Sequence, residues 1–198
     1  AIKTLRIEAD GVRWLQLSLP INHRALKKYR HTPFPPYIHA RPELSRQYQT
    51  VYAQPLGSKA APTAGLHFTA GQLQQLSKTH PLVRITLHVG LGTFAPIKTG
   101  NITQHKLHPE TYAVSAQAAS ELNQAKSITA IGTTSVRVLA AAGPVFAAQD
   151  SQTDIFIRPG YDFKATNSLV TNFHLPKSSL LMLVAAFMGS TSEMQRVY

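Results

Sequence analysis

Cysteine is absent from the 198 residues. That excludes disulfides, thiolate nucleophiles, iron–sulfur ligation and cysteine-based zinc sites together. It also leaves no mark of an oxidising compartment, so the cytoplasm is the expected location. Acidic residues are scarce: 9 Asp and Glu stand against 20 Lys and Arg, for a formal net charge of +11. Such a composition suits a polyanionic partner, nucleic acid first, and equally describes a merely basic soluble domain. Long apolar runs are missing as well. The longest, Leu180–Met188, falls well short of the roughly 18 residues of a membrane span and suits a buried helix. No signal-peptide pattern opens the chain. There is no initiator Met and the first residues already read as a strand, so a removed N-terminus or a fragment is expected.

Hydrophobic residues make up 43% of the chain, enough for a packed core in one good-sized domain or two small ones. Leu5–Leu17 reads as a hairpin, with Asp10-Gly11 as its two-residue turn. The apolar phase shifts across the second strand, which calls for a bulge or for a strand covered on both faces. Residues 20–48 are basic and hold Pro33, Pro35 and Pro36. Proline fixes its own φ and pushes the preceding residue towards an extended conformation, so this stretch reads as an extended connector and domain boundary. Beyond it, Thr69 caps a helix through Leu76, Leu82–Val89 alternates as a strand, and Ser115 caps a helix through Leu122. Ile128–Ile131 is a short buried strand followed by a helix from about Thr133. Ile155–Ile157 and Leu169–Val170 read as further strands, and Lys177–Met188 as the last helix. Helices alternating with short apolar strands predict an α/β arrangement with at least partly parallel pairing.

Four blocks carry more glycines and polar groups than packing needs. In Pro62-Thr63-Ala64-Gly65-Leu66-His67, a histidine on a turn can face a cleft and handle protons. It can equally be a turn histidine bonded to backbone. In Leu87-His88-Val89-Gly90-Leu91-Gly92-Thr93, a strand histidine stands beside a glycine-rich loop that leads on to Lys98, His105, His108 and Glu110. His88 can be an acid or base near neutral pH, or a core histidine bonded to backbone. His105, His108 and Glu110 resemble metal ligands only in composition. Their spacing around Pro109 matches no helical zinc motif, so no metal is expected. In Gly132-Thr133-Thr134-Ser135-Val136-Arg137, a glycine turn opens a helix. Its free N–H groups, three hydroxyls and an arginine fork would suit an anionic ligand group, or serve as a well-capped helix with a solvated arginine. In Thr171-Asn172-Phe173-His174-Leu175-Pro176-Lys177-Ser178, a histidine and a lysine flank a helix start, where caps and a surface lysine would look the same. Tyr29, Phe34, Tyr37 and Tyr48 lie among or near the basic connector's charges and can stack on bases.

Together, PFPPYI, YQTVYAQPLGSKAAPTAGLHFT, TLHVGLGTFAPI, HKLHPE, IGTTSVR, DIFIRPGYDF and TNFHLPKSSLLMLVAAF follow one another from about residue 33 to 189. In this order they resemble the S-adenosylmethionine:tRNA ribosyltransferase-isomerase family of queuosine synthesis. The resemblance implies a mixed α/β (α+β) catalytic domain over residues 33–198. Residues 1–32 would be a remnant of a smaller inserted β-barrel domain with the basic connector. It implies transfer and isomerisation of the ribosyl group of S-adenosylmethionine onto 7-aminomethyl-7-deazaguanine at the tRNA wobble position, with release of adenine and methionine. The implied partners are tRNA at its anticodon region and S-adenosylmethionine as co-substrate, with no metal, no membrane and a monomeric state. His67, His88 and His174 are then the expected proton-handling residues. Thr133, Thr134, Ser135 and Arg137 would hold the S-adenosylmethionine. Thr63, Gly90, Thr93, Lys98, His108, Glu110, Asn172 and Lys177 would position the substrates. Ala95, Ala140, Lys59 and Arg158 depart from the family pattern, and the expected N-terminal FNNTRV segment and C-terminal aromatic tail are missing, so an incomplete chain is expected. A catalytically degenerate relative acting as a tRNA-binding module is the alternative reading.

Overall fold

The computed structural model describes residues 1–8, 13–29, 31, 32, 34, 38, 42–90, 102 and 105–198. Two compact units are formed, Ala1–Thr32 and Pro33–Tyr198.

The first unit is an antiparallel hairpin of β1 (Ile2–Ile7) and β2 (Arg13–Leu17), followed by a 3-10 helix at Arg24–Tyr29. The register shifts between Thr4 and Arg6, so the irregularity lies on β1 at Leu5, whereas Arg13–Leu17 of β2, where the apolar phase of the sequence shifts, pair without a gap. Asp10-Gly11 lies outside the described residues. Ile2, Leu5, Ile7, Trp14 and Leu15 are all exposed within this unit. On the hairpin surface the Arg6 guanidinium lies 5.0 Å from the centre of the Trp14 ring, and both side chains donate to Glu8 Oε1. The connector is not simply extended. Besides the turn at Arg24–Tyr29, started by hydrogen bonds from Leu26 N–H to the His23 carbonyl and from Ala25 N–H to His23 Nδ1, a second 3-10 helix spans Pro42–Arg46. Proline suits a first helical position because its missing N–H is unpaired there anyway.

The second unit holds the core. Helix α1 (Ala70–Leu76) starts at a capping box in which Thr69 and Gln72 each accept from the other's backbone N–H. Such a box satisfies two donors that a helix start leaves orphaned. Strand β3 covers only Thr86–Leu87, shorter than the alternation over 82–89 predicts, because its partner β4 (Glu110–Val114) pairs with it only there. β4 in turn pairs antiparallel with β6 (Gln149–Thr153), giving a three-stranded sheet in the order β3-β4-β6. Helix α2 (Ala116–Gln124) is capped by Ser115. Strand β5 (Thr129–Ile131) leads through Gly132 into α3 (Thr133–Ala142). Strand β7 (Ser168–Val170) lies parallel to β5, with Ile131 opposite Val170. Helix α4 (Ser179–Phe187) is capped by Ser178, and α5 (Thr191–Val197) by Ser190.

The mixed α/β class therefore holds, with parallel pairing among the described residues confined to β5 and β7. Three sequence expectations need correction. Ile155–Ile157 is not a strand; the strand is Gln149–Thr153, a polar segment that among the described residues pairs only with β4, while Ile155 and Ile157 pack into the core without a ladder. The last helix starts at Ser179 rather than Lys177, since Lys177 adopts φ +58, outside the helical region. Helix α5 was not expected from the pattern at all. The core gathers Tyr112 and Val114 from β4, Ala118 and Leu122 from α2, Val136, Val138 and Leu139 from α3, Ile157, and Leu183 from α4. Helix α3 is thus packed against both sheets, and its first turn is fixed with respect to the strand ends around it.

Candidate active site

The site grows from the carboxyl ends of the parallel pair. β5 and β7 run side by side, so the turns that leave them, Gly132–Ser135 and Thr171–His174, emerge together. A hydrogen bond of 2.8 Å from Gly132 N–H to the Val170 carbonyl ties one turn to the other. Gly132 has φ +86, which an L side chain rarely adopts. A β-carbon placed there would lie 3.1 Å from Thr134 Oγ1 and 3.8 Å from the Ala64 methyl. The first block therefore packs on the third. Gly65 beside it has no room for a side chain, since a β-carbon would fall 2.8 Å from Thr50 Cγ2 and onto the Tyr52 hydroxyl. Burial raises the Tyr52 phenol above its ordinary range, with the Thr50 side chain opposing that rise.

The second block joins through charge. Arg137, on α3, forms an ion pair with Glu110 at the start of β4, and both side chains are about 4% exposed. The other Glu110 oxygen accepts the Gly90 N–H at 2.7 Å. Arg137 Nε and Nη2 are buried without a hydrogen-bond partner. A carboxylate beside a buried guanidinium offsets its desolvation, and the pair fixes the two elements that carry it. His88 stands two residues before Gly90 and is half-buried. Its N–H donates to the Thr111 carbonyl at 2.8 Å, and its Nδ1 is buried without a partner.

The fourth block is ordered by its own side chains. His174 Nε2 lies 3.2 Å from Thr171 Oγ1, and its backbone N–H donates to the Tyr198 hydroxyl at 3.1 Å. The Phe173 ring meets the Tyr198 ring edge-on at 4.9 Å. Burial pushes the His174 imidazole down to about 4, so it is neutral at pH 7.

The four blocks are thus connected, although the residues proposed from sequence are not equivalent. Thr133 is buried, Thr134 and Ser135 are partly so, and Ser135 donates its hydroxyl to the Ile131 carbonyl at 2.7 Å. Arg137 and Glu110 are engaged with each other. Thr63 and Asn172 are half-buried, whereas His67, His108 and Lys177 are exposed. Thr93 and Lys98 lie outside the described residues. No hydrogen bond joins His67, His88 and His174 to one another. Sequence reasoning did not single out Tyr198, or Gly57, where an added β-carbon would stand 2.6 Å from His88 Nδ1. Gly57 stands in an otherwise unexceptional turn, and Tyr198 acts from far along the chain. Among the described residues, no three His, Cys, Asp or Glu residues stand together as metal ligands would. A cavity of about 370 Å³ lies at the other end of α3, lined by Leu139, Ala140, Tyr161, Phe163, Lys164 and Thr166 among others, away from these turns.

Polar side chains on glycine-bordered turns, gathered at the carboxyl ends of parallel strands, are the arrangement of α/β domains that place small ligands at such ends. The chain belongs to the family described as Queuosine biosynthesis protein, whose pattern matches residues 2–198. It is 52% identical over 172 residues to the S-adenosylmethionine:tRNA ribosyltransferase-isomerase of Symbiobacterium thermophilum, a match covering 83% of this chain and 50% of that protein. The corresponding protein of Moorella thermoacetica matches with the same identity and coverage. The crystal structure of S-adenosylmethionine tRNA ribosyltransferase from Thermotoga maritima superposes with a TM-score of 0.53 and 34% identity, over 68% of this chain and 44% of that one. The chain therefore spans about half the length of the curated relatives it matches.

Proposed function

We propose that this chain carries the catalytic portion of an S-adenosylmethionine:tRNA ribosyltransferase-isomerase. It would move the ribosyl group of S-adenosylmethionine onto 7-aminomethyl-7-deazaguanine at the tRNA wobble position and rearrange it to the epoxycyclopentane, releasing adenine and methionine. The observation that carries the reading is the joining of all four motif blocks around the Gly132 turn, by Ala64, by the Gly132–Val170 hydrogen bond and by the Arg137–Glu110 pair. Family membership and the names of the relatives support it.

The chemistry asks for little beyond what these turns hold. A sulfonium acidifies the adjoining 5′ carbon, so a neutral base can take a proton there, and departing adenine needs a hydrogen-bond donor. His174, neutral and in contact with Thr171, is one proton-handling candidate, although the burial that keeps it neutral also makes it a weaker base than an ordinary imidazole. His88 and His67 are further proton-handling candidates. Thr133, Thr134 and Ser135 would contact the S-adenosylmethionine. Arg137 would act on it through Glu110 and the Gly90 backbone. Thr63, Gly90, Thr93, Lys98, His108, Glu110, Asn172 and Lys177 remain the proposed substrate-positioning set. No step calls for a metal.

In this reading residues 33–198 form the catalytic domain. Residues 1–32 are the remnant of an inserted β-barrel, and their exposed Arg24, Lys27 and Lys28 suit a phosphate backbone. The protein would work in the cytoplasm as a monomer on the anticodon region of tRNA. The test mixes the protein with S-adenosylmethionine and tRNA bearing the aminomethyl deazaguanine. Free adenine and a mass gain on the tRNA are expected, and both should be lost in His174→Ala. Tight tRNA binding with no adenine formed would instead mark a binding module.

A further inference from the structure

The segment Gly57–Lys59 lies along the backbone that carries His88. Ser58 Oγ donates to the Leu87 carbonyl at 3.1 Å and accepts the Val89 N–H at 3.3 Å, and the Lys59 N–H donates to the Val89 carbonyl at 2.9 Å. The His88 N–H is held separately, by the Thr111 carbonyl. The backbone at His88 is therefore fastened to two different segments, 57–59 and β4.

The ring itself has no such bond at Nδ1, which is buried and unpartnered. What it meets instead is the bare backbone of Gly57. A β-carbon on Gly57 would stand 2.6 Å from Nδ1, 2.8 Å from Cε1 and 3.1 Å from Cγ, inside the reach of any normal contact. Gly57 also has φ +148, where a side chain would be strained. Two independent features thus make this position a glycine, and both open the slot that the imidazole fills.

We propose that Gly57 is a positioning residue for His88. The missing side chain forms the slot, Ser58 and Lys59 fasten it to the strand, and the ring is seated with Nδ1 inward and Nε2 left for a ligand. This rests on the reading of His88 as a proton-handling residue. The slot is rigid because its wall is backbone, and a ring seated by packing alone keeps its angle only while that wall stays in place.

The test compares the parent protein with Gly57→Ala and Ser58→Ala. Folding is checked by circular dichroism, and carbethoxylation of each histidine by diethylpyrocarbonate is followed by peptide mass spectrometry. Gly57→Ala forces the ring out, so the His88 rate should rise several-fold while the rates at exposed His67 and His108 stay unchanged. Ser58→Ala keeps the slot and loosens its fastening, so a smaller rise is expected; this variant alone decides if Gly57→Ala does not fold. His88 rates equal to the parent's in the folded variants overturn the proposal. Adenine release separates the two levels of the argument. Loss of turnover in His88→Ala with none in Gly57→Ala also overturns it. Full turnover in His88→Ala refutes the proton-handling role instead, and the modification rates then judge the slot by themselves.

Discussion

Arg137 and Glu110 form a buried ion pair across 27 residues of sequence, and the same carboxylate takes the Gly90 N–H. One side chain thereby couples the first turns of α3 to the loop that follows His88. Removing one partner leaves the other charge buried and uncompensated, which costs about 3–5 kcal/mol. Glu110→Gln and Arg137→Met should each lower the unfolding free energy measured in urea by that order. The pair Glu110→Leu with Arg137→Met should be less destabilised than either single change, because no charge is stranded. The double variant still leaves the Gly90 N–H without its acceptor. Turnover should therefore stay low even where stability returns, a split that unfolding and adenine-release measurements read separately.

His174 gives a pH dependence of known sign. Burial lowers its folded value to about 4 from 6.5, so between those values the unfolded chain binds the proton more readily than the folded one. Stability is then fully present above about pH 6.5 and falls as the pH drops towards 4. Part of the ring meets solvent, so the loss is on the order of 1–2 kcal/mol rather than the full value of the shift. Thermal midpoints of the parent protein and of His174→Gln across this window should differ in slope, with the variant losing the histidine's share.

Lys177 sits at φ +58, immediately before the Ser178 cap of α4, whose hydroxyl accepts the Leu181 N–H at 3.2 Å. That conformation costs a lysine roughly 1 kcal/mol and a glycine almost nothing. Lys177→Gly should hold or raise the melting temperature. If the ammonium positions a substrate, the same variant raises KM and leaves kcat nearly unchanged in the adenine-release assay.

Caps and turns were the legible part of this fold. Thr69, Ser115 and Ser178 each bond the N–H three residues on, a local pattern that needs no tertiary knowledge. The turn from β5 through Gly132 into α3 was legible for the same reason. Strand β6 was not, because Gln149–Thr153 carries no apolar alternation and owes its place to the ladder with β4. Ile155–Ile157 misled in the opposite sense: apolar residues enter the core with no strand partner beside them. In the site, sequence picked out the histidines and hydroxyls. It could not show that Arg137 spends its charge on Glu110, nor that Gly57 lies under the His88 ring, since both relations are long-range.

Tyr198 reaches back 24 positions to accept the His174 N–H, and its ring props Phe173. This tyrosine is therefore a buttress of the candidate site. Tyr198→Phe would take the hydroxyl away from the His174 N–H while keeping a ring beside Phe173, and so would loosen the histidine loop before any substrate arrived.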